Sequence, residues 1–172
     1  MSAARVLLRP ARPDDRDRLL RWINDRELVV LSAPFHPVTE AEHDAWFAGV
    51  LSGREDRRFF MIDTTPDART IGSCQLLNIH PVHRSADLQI RIGTRSAWGQ
   101  GFGTAAVQAL VEYAFCELGL HRVSLQVFAH NERAIGAYRK AGFAVEGTAR
   151  QAAFIEGRFV DVVHMGILDG ER

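Results

Sequence analysis

Cysteine is scarce in this chain: Cys74 and Cys116 are its only two, and no CxxC pair occurs. A disulfide framework and the common cysteine-based metal and redox motifs are thereby excluded, and both thiols are expected to pack as small apolar side chains. Net charge is missing too, because 21 Lys and Arg balance 21 Asp and Glu. No global field draws a polyanion, so nucleic acid is not an expected partner. The first twenty residues hold one apolar run, Val6-Leu7-Leu8, too short for a signal-peptide core or a membrane span. A cytoplasmic protein without a membrane partner is the expectation. No internal repeat, linker or low-complexity segment breaks the chain.

What is present suits one globular domain. The 172 residues correspond to about one domain at roughly 150 residues each. Apolar residues at 47% and charged residues at 24% are close to the soluble average, enough to bury a core. A single domain over residues 1–172 is expected.

Local signals give an order of elements. Residues 5–9 read as a strand, and Pro13-Asp14-Asp15 opens a helix carried to about Asn24 by the apolar stripe Leu19, Leu20, Ile23. After a loop marked by Pro34 and Pro37, Thr39 and Glu42 have capping-box spacing and begin a second helix that ends near Leu51. Residues 58–63 and 70–79 read as an antiparallel hairpin, and 86–92 as a strand that alternates Leu88, Ile90, Ile92. A glycine turn and an apolar helix over 104–118 follow, then a strand over 122–128, a helix over 132–141 ended by Gly142, and two strands, 149–155 and 158–168, around Glu156-Gly157.

The glycine turn, Trp98-Gly99-Gln100-Gly101-Phe102-Gly103-Thr104, stands between strand and helix. Glycines there let several N–H groups face one concavity at a helix N-terminus, which suits a phosphate, although such turns also arise for packing alone. A P-loop needs Lys before its Ser or Thr, and none precedes Thr104. The GxGxxG/A dinucleotide pattern fits Gly101 to Ala106, but the next strand, Val123 to Phe128, ends without the acid that binds ribose. A dinucleotide-dependent oxidoreductase is therefore disfavoured.

The same stretch resembles the acetyl-CoA motif of the GNAT superfamily of N-acetyltransferases, Gln or Arg, two residues, Gly, one residue, Gly or Ala, with Gly101 and Gly103 matching and Trp98 at the leading position. Trp-Gly before the glycines is similar to the branch of the ribosomal-protein N-terminal acetyltransferases, the Rim-like branch. A second block, Asn131-Glu132-Arg133-Ala134 through Tyr138 to Gly142-Phe143, resembles the family's Asn-x-x-Ala…Tyr-x-x-x-Gly-Phe segment. The resemblance implies an α/β (α+β) GNAT fold: a mixed, mostly antiparallel sheet splayed between strands 4 and 5, with about four flanking helices.

It also implies acetyl-CoA as co-substrate, no metal, and direct transfer to an amine. Backbone groups of Arg91, Ile92 and Gly93 would hold the pantetheine, and the pyrophosphate would lie on Trp98, Gly99, Gln100, Gly101, Phe102, Gly103 and Thr104. Asn131 and Ala134 would line the cofactor side, Asn131 doubling as a helix cap. Tyr138 resembles the general acid that protonates the departing thiolate, with a reference pKa near 10 against about 8.5 for a thiol. Gln126 stands where some relatives carry a basic Glu and cannot take a proton, which leaves Asp87, at the start of the fourth strand, or water as base. Trp22, Trp46, Phe35 and His36 either line the acceptor groove or pack the core.

His80-Pro81-Val82-His83 reads as a surface turn and His164 as a sheet histidine, not as ligands or base. The acceptor is a peptide N-terminal α-amine or a small-molecule amine, and a weak base favours amines of low pKa. A non-catalytic acyl-CoA-binding module is the alternative, and either a monomer or a homodimer is compatible with the chain.

Overall fold

A computed structural model describes residues 5–171. Seven strands form one sheet: β1 (Val6–Pro10), β2 (Arg58–Thr64), β3 (Thr70–His80), β4 (Ser85–Ile92), β5 (Arg122–Phe128), β6 (Ala144–Ile155) and β7 (Arg158–Leu168), in spatial order β1-β2-β3-β4-β5-β7-β6. Every neighbouring pair is antiparallel except β4 and β5. That parallel pair covers three positions only, Ser85 with Arg122, Ala86 with Val123 and Asp87 with Ser124. Beyond Asp87 the two strands diverge and the sheet opens. This is the expected mixed sheet with its splay.

Five helices accompany it: α1 (Arg16–Ile23), α2 (Arg26–Val29), α3 (Glu40–Ser52), α4 (Phe102–Cys116) and α5 (Glu132–Lys140). The first expected helix ends at Asn24 as its pattern predicts, and a short helix that was not expected follows it. A 3-10 turn at Pro13–Asp15 precedes α1, and Asp25 starts the four-residue α2 by accepting from Leu28 N at 3.2 Å. The capping box at Thr39 and Glu42 opens α3 as its spacing predicts. The sixth strand begins at Ala144, five positions before the expected 149, and is extended there by pairing with β7.

Pairing register divides the sheet into two unlike faces. Cys74, Leu76, Leu88, Ile90, Val123, Leu125 and Val127 turn to one side and build the main core with Ala106, Val107, Leu110 and Ala114 of α4 and with Tyr138 of α5. Period-two alternation puts Ser73, Gln75, Asp87, Gln89, Arg91, Ser124 and Gln126 on the other. On that polar side α1 and α3 pack over the β2 end, where Leu19, Phe47 and Met61 form a small separate core.

Candidate active site

Two cavities meet at the opening between β4 and β5. One, of about 770 Å³, runs from the glycine turn along β4 to α5. The other, of about 470 Å³, lies over the polar face beneath α1 and α3. Tyr138, Gln126, Gln89 and Arg91 belong to the walls of both.

The larger cavity gathers most of the expected cofactor residues: Arg91, Ile92, Trp98, Gly99, Gly101, Gly103, Thr104, Asn131, Ala134 and Tyr138, with Asp87 also in its wall. Gly99 and Gly101 have φ of +74° and +86°, a conformation that L side chains adopt at a cost of roughly 1–2 kcal/mol. The tight turn therefore requires glycine at both. Gly101 is the N-cap of α4 and supplies no side chain to the first N–H groups of that 15-residue helix. Those donors, together with the positive end of the helix dipole, face a space that a pyrophosphate fits.

At three expected positions no side chain lines this cavity. Gly93 backs onto the Trp22 ring so closely that a Cβ would sit 2.1 Å from it. Gln100 turns its amide back to the Ser96 carbonyl. Phe102 packs against the main core.

The leading Gln or Arg of the motif is replaced by an indole with structural work of its own. Trp98 Nε1 donates to the Ile92 carbonyl at 2.7 Å, which ties the glycine turn to the end of β4. Its ring carries a cation supplied from another element, the Arg133 guanidinium, centred 3.8 Å from the ring centroid. Arg133 also lines the larger cavity, so positive charge reaches the anion end of the site from α5. Position 133 was legible only as a variable residue of the second motif.

Asn131 caps α5 by accepting from Ala134 N at 3.3 Å, and its amide donates to the Leu31 carbonyl at 3.1 Å. Both ends of the side chain are engaged by protein. Asp87 accepts from Ser124 Oγ at 2.8 Å through one oxygen and from Asn78 Nδ2 at 2.8 Å through the other. The carboxylate is thus oriented toward the gap with lone pairs remaining on each oxygen.

Tyr138 is 9% exposed. Burial pushes its hydroxyl up to about 12, so it remains protonated and a donor across the range in which amines titrate.

The smaller cavity is walled by Trp22, Trp46, Phe59 and His43, with Ser73, Gln75, Gln89 and Arg91 as its floor. Trp22 and Trp46 line this cavity, and Trp22 also packs against the small core, whereas Phe35 lies beneath the Arg26 guanidinium and, like His36, is not part of either wall. Asn24 shapes the entrance by exchanging two hydrogen bonds with the Val38 backbone, at 2.9 and 2.8 Å. His43, only 3% exposed, was not singled out by sequence; its signal was a position one turn into a capped helix.

His80 and His83 stack at the surface with centroids 4.2 Å apart, and no group of three or more metal-ligating side chains occurs among the described residues. His164 pairs across from Gln126 on β7, outside both cavities. No helix among the described residues is long and apolar enough to cross a membrane.

Two adjoining cavities that share a buried tyrosine, one of them reaching the N-terminus of a helix behind a glycine turn, suit an enzyme that transfers a group between two substrates. Residues 5–144 match the acetyltransferase (GNAT) domain, and the chain belongs to that family; it is an N-acetyltransferase that takes its acetyl group from acetyl-CoA. It is 33% identical to the spermidine N(1)-acetyltransferase of Escherichia coli (strain K12) over 170 residues, 96% of this chain and 87% of that protein. Over 81 residues, 46% of this chain and 49% of the other, it is 35% identical to the L-amino acid N-acetyltransferase AaaT of the same strain. Among solved structures it is similar to the spermidine N-acetyltransferase of Vibrio cholerae in complex with CoA and spermine, with a TM-score of 0.89 and 27% identity over 97% of each chain. These relatives are named for small amines, whereas the putative ribosomal N-acetyltransferase YdaF of Bacillus subtilis (strain 168), 33% identical over 105 residues, 61% of this chain and 57% of that protein, bears the name that the Rim-like resemblance would imply.

Proposed function

We propose that the enzyme acetylates the primary amine of a small molecule by direct transfer within a ternary complex, with Tyr138 as general acid and Asp87 as general base acting through solvent. The observation that carries this reading is the position of Tyr138 in the walls of both cavities. The small-molecule acceptor is further supported by the names of the relatives.

Acetyl-CoA in the larger cavity supplies the acetyl group and leaves as the thiol. Its pyrophosphate would rest on the N–H groups of Gly99 to Thr104, with Arg133 beside it. The free N–H groups of β4 beyond Asp87 are available to the pantetheine and to the carbonyl oxygen, where oriented donors in a closed site stabilise developing charge. The amine enters from the smaller cavity and attacks while neutral. Its excess proton passes through water to the Asp87 carboxylate, and the Tyr138 hydroxyl gives a proton to the departing sulfur.

Tyr138→Phe is expected to lower kcat on the order of 10²-fold or more, the usual worth of a positioned acid, while acetyl-CoA still binds. Turnover kinetics and calorimetry on the same preparation check both parts. A wild-type protein that binds acetyl-CoA but transfers to no amine would instead favour the acyl-CoA-binding module.

A further inference from the structure

The ionised side chains in the acceptor cavity wall are Glu42 and Arg91. Glu42 is exposed at the mouth and engaged in the α3 cap, its Oε2 accepting from Thr39 N at 2.8 Å and from Thr39 Oγ1 at 2.7 Å. Arg91 is part of the floor. Its Nε is shut off from solvent with no hydrogen-bond partner, and Nη2 makes only a long contact of 3.4 Å to Ser32 Oγ.

This guanidinium differs from six others in the chain. Arg9, Arg16, Arg26, Arg54, Arg95 and Arg122 all lie against carboxylates. No such ion pair involves Arg91 among the described residues. Desolvation lowers its pKa, with no neighbouring charge to offset the effect. An uncompensated, half-buried cation is unfavourable in the free protein, and its planar fork matches a carboxylate in two-point contact. The remaining floor, Ser73, Gln75 and Gln89, is neutral. A polyamine would bring further positive charge to a floor whose one ionised side chain, Arg91, is already positive.

We infer that the acceptor is an amine that also carries a carboxylate, an amino acid or a short peptide, with that carboxylate on the Arg91 guanidinium and its apolar body against Trp22, Trp46 and Phe59. The inference rests on the small-molecule N-acetylation reading and narrows its substrate class.

The test compares kcat/KM of the wild-type enzyme for the twenty amino acids with that for their carboxamides, with dipeptides and spermidine in parallel. An amide leaves the amine easier to deprotonate, so without carboxylate recognition the amides win. A charge-assisted hydrogen bond of about 1.5–3 kcal/mol gives the acid form a preference of roughly 10- to 100-fold for the best side chain. That ratio is expected to fall to near one in Arg91→Gln and to be kept in part by Arg91→Lys. Dipeptides turned over better than free amino acids, with the same dependence on their carboxylate, would assign the peptide form.

Amides or spermidine preferred by the wild type would overturn the inference and leave N-acetylation standing. No turnover of any amine would overturn the underlying reading, and this inference with it. The wild-type ratio alone decides, so misfolding of a variant does not blunt the test.

Discussion

His43 is the residue at which the acceptor cavity and the stability of the fold meet. Neither ring nitrogen has a hydrogen-bond partner, and the imidazole clusters with the rings of Trp46, at 5.4 Å, and Phe47, at 6.0 Å. Burial lowers its pKa, and the nearby Arg16 charge acts in the same direction. Folding therefore favours the neutral ring, so its contribution is fully present above the unfolded value of about 6.5 and is lost as pH falls below it. Between pH 7 and 5.5 the wild-type Tm is expected to drop more than that of His43→Leu, and paired melting curves measure the difference. Equal slopes would mean that the imidazole is protonated without penalty. Tyr138 shows the same cause with a different outcome, since burial strengthens its hold on a proton where His43 loses one.

At the scale of elements, α3 depends on its first turn. Thr39 and Glu42 satisfy each other's backbone donors, and the helix they start carries both His43 and Trp46 into the acceptor wall. Thr39→Ala is expected to cost about 1 kcal/mol, the usual effect of losing such a cap, and to raise acceptor KM more than acetyl-CoA KM. Chemical denaturation and two-substrate kinetics separate these effects.

This helix, α5, β5 and β7 were all legible, because each carries a local signal: a capping pair, an Asn cap with a terminal glycine, or β-branched alternation. The start of β6 was not legible. Ala144 to Thr148 is exposed along its whole length and lacks the alternation that betrays a strand; only its ladder with β7 makes it one. The short helix α2 escaped for a related reason, as it is fixed by Asp25, whose carboxylate caps it and also binds Arg95 at 2.8 Å from a distant turn. Within the site, the glycine turn and Tyr138 came from motifs. The neutral floor around Arg91 did not, because Ser73, Gln75, Gln89 and Gln126 come from three strands and become neighbours only through sheet register.

For the whole molecule, the zero net charge conceals an uneven arrangement. Ion pairs are concentrated away from the cavities, as where Arg9 bridges Asp15 and Asp63 at 2.7 Å each and locks β1 to β2 and to the turn before α1. The charged side chains lining the cavities, Glu42, Asp87, Arg91, Glu132, Arg133 and Lys140, form no ion pairs among the described residues.

The sheet itself is barely continuous, since only Ser85 to Asp87 joins its two antiparallel halves. Mechanically it is a pair of plates held by a short seam, and whatever lies in the gap between them becomes a third fastener. Donor binding is therefore expected to act at a distance from its own contacts. At 100 times its dissociation constant acetyl-CoA adds about 2.7 kcal/mol by mass action. Amide hydrogen exchange should slow along β4 and β5 together, far past the glycine turn. Protection confined to residues 99–104 would show instead that the plates stay apart when the chamber is filled. Joint protection of β4 and β5 would mean that one small molecule decides how rigid the enzyme is, and that the supply of acetyl-CoA sets its lifetime as well as its rate.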